Sequence, residues 1–437
     1  MKRLLLLGSI LTIVSAQVNA QTAAIDTVSV GAGYVNQNYY QLSTGTKSPV
    51  VKNEWDIAFQ TGGASMGYSI MTNAASGVDL YTYPNAIADS AHFAGAFDTT
   101  GLSTWPKMYN SETTWSTGAF SQHNDPANAF DLGWGLYDLS THIVTGDSLF
   151  VVKTTNGTFK KVWIKNLNAG IYNFVYANLD GTNPHTVAFA KANYATKNFG
   201  YYSLSNDLAV DHEPVVDTAW DLVFTQYTAN LGGGYMGTAT GILANEGVVI
   251  AKAVNVANTA TYVDYATQTY SEDINIIGWN WKTYNQSANA YTVEDSTVYF
   301  VQAKDSAIWK VVMSGFGASA NGNMIFSKTK LKSAPVVVTP PPPTAINSVN
   351  NLATLSIYPN PVAQGTNLNV VVDLMQANAN VSLAIYDITG KQVFNTKVAN
   401  QTGLKALAVP TAGFKAGLYI ISLDVNGYKA TQKVSIQ

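Results

Sequence analysis

The 437 residues carry 24 Lys and Arg against 27 Asp and Glu, with five His and no Cys. A net charge of −3 gives no footprint for nucleic acid or an anionic membrane, and the missing thiols exclude disulfides, thiolate metal sites, cysteine nucleophiles and a lipid-anchored cysteine. Hydrophobic residues at 47% supply real cores, while only 12% charged residues, with abundant Tyr, Gly, Asn and Thr, favour twisted sheets joined by polar turns.

In chain order, residues 1–20 have the layout of a secretory signal peptide. Lys2 and Arg3 precede an apolar run from Leu4 to Val14, and Val18-Asn19-Ala20 offers a cleavage site. The run is shorter than the ~20 residues of a membrane span, and no later one is longer, so no transmembrane segment is expected. Arg3 is the only arginine, which leaves the exported chain without a guanidinium clamp for phosphate.

Two copies of one module then follow, predicted at 26–190 and 191–333. Tyr39-Tyr40-Gln41-Leu42 returns as Tyr201-Tyr202-Ser203-Leu204, and Trp55-Asp56-Ile57-Ala58-Phe59 as Trp220-Asp221-Leu222-Val223-Phe224. Gly133-Trp134 is matched by Gly278-Trp279, and an Asp-Ser-led strand at Asp147 by one at Asp295. Four landmarks in the same order mark a duplication. Asn156-Gly157 between β-prone runs predicts a hairpin, since both residues tolerate positive φ. Strands are also predicted at 171–179, 298–303, 308–313 and 324–330. No sustained 3.6-residue apolar period occurs in either copy.

Prolines at 335 and 340–343 predict an extended linker over 334–350. Alternating apolar residues in 368–372 and 381–385, punctuated by glycines, predict a small β-sandwich over 351–437. The expected fold is all-β: two tandem, mainly antiparallel β modules followed by that sandwich.

The last domain resembles the type A C-terminal sorting domain of the type IX secretion system of Bacteroidetes. The resemblance rests on Tyr358-Pro359-Asn360-Pro361-Val362, Ile385-Tyr386-Asp387-Ile388-Thr389-Gly390-Lys391, Gly417-Leu418-Tyr419-Ile420 and the closing Lys433-Val434-Ser435-Ile436-Gln437. It implies that Pro359, Asn360, Pro361, Gly390, Lys391, Gly417 and Tyr419 belong to a sorting signal read by the secretion machinery. It also implies that the tail is removed and the protein is held at the outer surface or released. The Tyr-Tyr-x-Leu and Trp-Asp motifs, with the closing strand pair of each copy, resemble the HmuY family of secreted haem-binding proteins. That resemblance implies haem or a related porphyrin as ligand, bound through paired histidines or methionines.

Of the five histidines, His92, His123 and His142 fall between the first Trp-Asp motif and the first hairpin, where loops are expected. A neutral imidazole there could ligate haem iron, and Met66, Met71 and Met108 are softer alternatives. No His-x-x-x-His, acidic metal loop or other metal motif occurs. Asp56 and Asp221 are expected to accept backbone N–H bonds, and the motif Trp and Phe rings to be core anchors. Gly63-Ala64-Ser65-Met66-Gly67 has the letters of a nucleophile elbow in a β setting that lacks the strand-turn-helix the elbow needs. The reading is a non-enzymatic binding protein for haem; a surface adhesin or glycan-binding protein, meeting a glycan or a host surface protein, is the alternative, and a secreted hydrolase acting through Ser65 is third.

Overall fold

A computed structural model describes residues 23–62, 67–84, 87–334, 352–375, 380–399 and 401–437. The signal-peptide reading, the linker beyond Ala334 and Gly63–Met66 of the elbow-like motif lie outside the described residues. The rest is nearly all antiparallel sheet, as expected, in two compact units that divide after residue 336.

The first unit holds two closed modules. In one, a seven-stranded sheet built around Phe159–Asn168 faces a four-stranded sheet ordered Leu208–Val210, Phe199–Ser203, Ile57–Gln60, Ile70–Thr72. In the other, a five-stranded sheet from Ala24–Ser29 to Val249–Ala253 faces one ordered Met236–Ala244, Leu222–Asn230, Asn36–Tyr40, Lys47–Val51. Each small sheet therefore joins the Trp-Asp hairpin of one copy to the Tyr-Tyr hairpin of the other. Tyr201 pairs with Ala58, and Tyr39 with Val223. One apolar core runs from Ile57 to Leu204, and the other takes Val28–Leu42 together with Trp220–Phe326. The closed modules are thus about 55–210, and 24–51 joined to 220–334, rather than the 26–190 and 191–333 of the repeat.

Connection length accounts for the exchange. Pairing within the first copy would leave Lys47–Val51 and Ile57–Gln60 parallel with one strand between them. Such a crossover needs a dozen or more residues, and only residues 52–56 are available. The Tyr-Tyr strand therefore adds to the equivalent sheet of the other copy, where the same apolar pattern is satisfied.

The Asn156-Gly157 hairpin forms as expected. Only Gly157 has positive φ, +84°, and Gly157 N–H donates to Thr154 O at 2.8 Å. The turn is a three-residue loop closed by a left-handed glycine, not the two-residue form. Asn156 Oδ1 accepts from Thr158 N and Thr154 Oγ1, which leaves Thr155 free to dock elsewhere. In the second copy, Gly232-Gly233-Gly234 all take positive φ at the tip of the hairpin after Leu222–Asn230.

The second unit packs a three-stranded sheet, Ala353–Tyr358, Asn367–Leu374 and Gly403–Pro410, on a four-stranded one centred on Val381–Asp387 and Gly417–Val425. Its core includes Val370, Leu383, Ile421 and Ile436. Asn360 Nδ2 donates to Lys433 O at 2.9 Å, and Asn360 Oδ1 accepts from Ser435 N at 3.0 Å. The Pro-Asn-Pro motif is thereby fastened to the last strand. Asp387 Oδ1 accepts from Thr389 N and Lys391 N across a turn in which Gly390 has φ +84°. Tyr419 OH donates to Lys415 O at 2.8 Å, with its ring against Phe414.

Candidate functional site

The duplicated Trp-Asp motif builds the seam between the modules. Asp56 is fully buried and accepts from Thr155 N at 2.7 Å, Thr155 Oγ1 at 2.9 Å and Ser205 N at 3.0 Å. Asp221 accepts from Leu42 N at 2.7 Å, and its burial pushes its pKa up to about 6. Both carboxylates thus take backbone N–H bonds, the expected structural role, and fasten the exchanged hairpins in place. Two asparagines extend the repeat: Asn73 Nδ2 donates to Trp55 O at 2.9 Å, and Asn245 Nδ2 to Trp220 O at 2.8 Å. Sequence reading missed them, although Asn73 and Asn245 each stand shortly before a Gly-Val.

The locked backbones aim both indoles into the seam. Trp55 packs edge-on against Tyr201, ring centroids 5.0 Å apart, and Trp220 against Tyr39 at 4.9 Å. The two tyrosine hydroxyls meet at 3.4 Å. Trp115, in a long loop of the first copy, crosses the seam and donates from Nε1 to Ala244 O at 2.9 Å. These rings wall a cavity of about 90 Å³ whose rim includes the half-buried Gln37, Ala75, Ser111 and Gln226.

Four buried polar groups of the cavity lining have no hydrogen-bond partner among the described residues: Trp55 Nε1, Trp220 Nε1, Thr72 Oγ1 and Tyr227 OH. Glu213 also lines it, accepting from Phe199 N at 3.0 Å and Asn198 N at 3.2 Å. Burial outweighs those bonds and raises the Glu213 pKa to about 7. The Trp220 indole lies close enough to favour the charged carboxylate, without a hydrogen bond of good geometry. Lining positions include no Asp, His, Lys or Arg.

His212 sits behind this wall, 1% exposed, with neither ring nitrogen hydrogen-bonded among the described residues and its ring against Tyr201 and Trp55. Burial, aided by the Lys197 charge, lowers its pKa to about 3. The unfolded chain, with an ordinary histidine, binds a proton between pH 6.5 and 3 that the folded chain does not. Stability therefore falls as pH drops through that window, by about 2 kcal/mol at pH 5 from this group. Glu213 and Asp221, whose pKa values are raised, oppose it over part of the same range. Going from pH 8 to pH 5, His212→Phe should therefore gain roughly that amount of stability relative to the parent in denaturation curves. An equal difference at both pH values would mean that His212 is solvated.

The histidines singled out from sequence lie elsewhere. His92 is in the short helix Ser90–Ala94, its Nδ1 2.8 Å from Asp89 Oδ2. His123 Nδ1 is 2.9 Å from Thr82 Oγ1, and His142, at φ +59°, has Nδ1 2.7 Å from Tyr137 OH. All three rings are exposed, and each is held by a different neighbour. Thr82 Oγ1 also donates to Met108 Sδ at 3.4 Å, which places two of the predicted ligand candidates on one hydroxyl, though Met108 is buried. Met71 lines the seam cavity, and Met66 lies outside the described residues. No group of three or more His, Asp or Glu suited to a metal ion occurs among the described residues, and no described helix is long and apolar enough to cross a membrane.

Residues 356–437 match the family described as secretion system C-terminal sorting domain. No curated protein matches the chain. Among solved structures, it is similar to the sulfur carrier protein SoxY from Chlorobium limicola at 16% identity, over 20% of this chain and 79% of that one, with a TM-score of 0.15. A polysaccharide lyase is similar at 8% identity, over 62% of this chain and 40% of that one, with a TM-score of 0.16. The BSP domain of a biofilm associated protein is similar at 11% identity, over 99% and 84%, with a TM-score of 0.17. At these TM-scores none of the three carries an argument about this chain. The C-terminal domain is a type IX secretion sorting domain, and the protein is one that this system delivers to the cell surface or beyond it.

Proposed function

We propose that the exported first unit is a binding protein rather than an enzyme, and that it holds a small uncharged molecule in the cavity between its modules. The observation that carries this reading is the set of four unpaired, buried polar groups in the lining of an aromatic-walled cavity. Each such group costs about 1–3 kcal/mol when left without a partner. A ligand seated in the cavity would supply the missing bonds, and the default site is an apolar pocket with a few convergent polar groups. A lone carboxyl among amides, indoles and hydroxyls suits recognition better than acid–base turnover, which needs a matched pair. The test is a thermal-shift screen of the intact protein against uncharged sugars, amides, phenols and indole. At least one class should raise the melting temperature, and Ala58→Leu, which fills the cavity, should abolish the shift. A screen without any such response would refute the reading.

Haem, the expectation from the HmuY resemblance, is the second reading. It is favoured by the exposed His92, His123 and His142, each held through Nδ1 by a neighbour. A carboxylate on the other nitrogen, as Asp89 provides for His92, raises the basicity of a ligating imidazole. The seam cavity, about 90 Å³, is too small for a porphyrin, so haem would sit on the loops of the first copy. When bound, haem would supply its own iron chemistry, and the histidines would supply axial ligation. A haem titration of the purified protein should then give a saturable Soret shift that weakens in His92→Ala, His123→Ala or His142→Ala. No saturable change, oxidised or reduced, would end this second reading.

A further inference from the structure

We infer that the seam cavity takes one neutral sugar ring, free or at the end of a glycan chain. This rests on the proposed binding role of the same cavity and goes on to name the ligand class.

Size is the first constraint. A space of about 90 Å³ accommodates roughly six to nine waters at 10–15 Å³ each, which is the bulk of a single pyranose rather than of a disaccharide. The rim is open at half-buried residues, so a chain could continue outward from one enclosed ring.

Charge is the second. The described lining residues include no Lys or Arg to meet a phosphate, a sulfate or a uronic acid, the Lys52 ammonium being held on Gln226 at the rim, and Glu213 repels anions whenever it is ionised. An aromatic enclosure with one carboxyl also invites comparison with the cages that hold quaternary ammonium groups. The Trp55 indole decides against that. Trp55 Nε1–H can only donate and lacks an acceptor among the described residues, whereas the Trp220 indole has the Glu213 carboxyl nearby. A quaternary ammonium offers no acceptor and would leave Trp55 unpaired, whereas hydroxyl and ring oxygens satisfy it.

The third is the alternation of surfaces. A pyranose presents C–H faces edged by hydroxyls that both donate and accept. The seam presents aromatic walls, Trp55, Trp220 and Phe199, beside polar groups of both kinds. Thr72 and Tyr227 hydroxyls can work in either sense, and the Glu213 carboxyl accepts. Neutral aromatic ligands such as indole would match the walls and waste the hydroxyls.

The experiment is a titration of the intact protein, followed by tryptophan emission and calorimetry. The probes are glucose, galactose, mannose and N-acetylglucosamine, with glucuronate, tetramethylammonium and indole beside them. At least one neutral sugar should bind saturably, with glucuronate at least tenfold weaker. Thr72→Val, which removes one hydroxyl at nearly constant shape, should weaken that sugar roughly three- to tenfold. Ala75→Trp, placed at the rim outside the packed core, should block it without lowering the melting temperature. Tighter binding of a glycan ending in the same sugar would identify a chain end as the natural form, and equal binding a free sugar. A response to indole or tetramethylammonium alone would overturn the sugar assignment while leaving the cavity's binding role intact. No response to any probe would overturn both, and sugar binding untouched by either substitution would place it away from the seam.

Discussion

Deletion of residues 345–437 leaves the protein in the periplasm and removes it from the cell surface and medium. The C-terminal unit has its own core and is fastened end to end, so the deletion takes away a folded domain rather than a ragged tail. Val362 N–H donates to Ser435 O at 2.9 Å, and Gln437 N–H donates to Val362 O at 3.0 Å. The start and the end of the sorting domain thus lie side by side. Asn360 spans the same junction with both of its side-chain atoms. Loss of two hydrogen bonds in Asn360→Ala should lower the stability of this domain by about 1–2 kcal/mol and reduce export partially rather than abolish it. Protease accessibility on whole cells, with blotting of periplasm and medium, measures both effects. Wild-type surface levels of the truncated form would refute the role of the tail.

Trp220→Ala and Trp55→Ala each destabilise the first unit by about 3–5 kcal/mol, the range for deleting a buried large ring and leaving a cavity. Trp220 is 3% exposed and Trp55 is 8% exposed. Each indole packs on a tyrosine delivered by the other copy, so truncation loosens the join between modules as well as one core. Trp220 belongs to the larger core, which also holds the N-terminal strands, and its loss should be the greater of the two. Equilibrium denaturation of the parent and both variants checks this. A cost below about 1 kcal/mol for either would mean that the ring is dispensable to packing.

The three histidines chosen as ligands were conspicuous in the sequence because of their loop setting. Their actual partners, Asp89, Thr82 and Tyr137, are short-range neighbours or strand-end residues that such a reading does not weigh. Asn73 and Asn245 share only the Gly-Val that follows each of them, and nothing in the neighbourhood of Glu213 marks it. Their significance comes from the carbonyls and amides that meet them across the seam.

The sequence by itself determined the duplication, the strand content and the nature of the C-terminal domain. These depend on local features: alternating apolar residues, left-handed glycine positions at turns, and short motifs whose order is fixed along the chain. It also contained the anchors of both modules, because a Trp-Asp pair followed by a short apolar run bounded by turn residues reads as a buried strand. Only the tertiary structure decided which Tyr-Tyr hairpin joins which Trp-Asp hairpin. Sheet pairing is made by the backbone, and the two hairpins carry the same pattern, so either partner satisfies it. The five residues 52–56 are too few for the crossover that pairing within the copy would need, and that constraint becomes visible only once both strand ends are known. The seam cavity follows from the exchange. Its walls come from positions as far apart as Gln37 and Ile274, brought together by strands that close each other's modules.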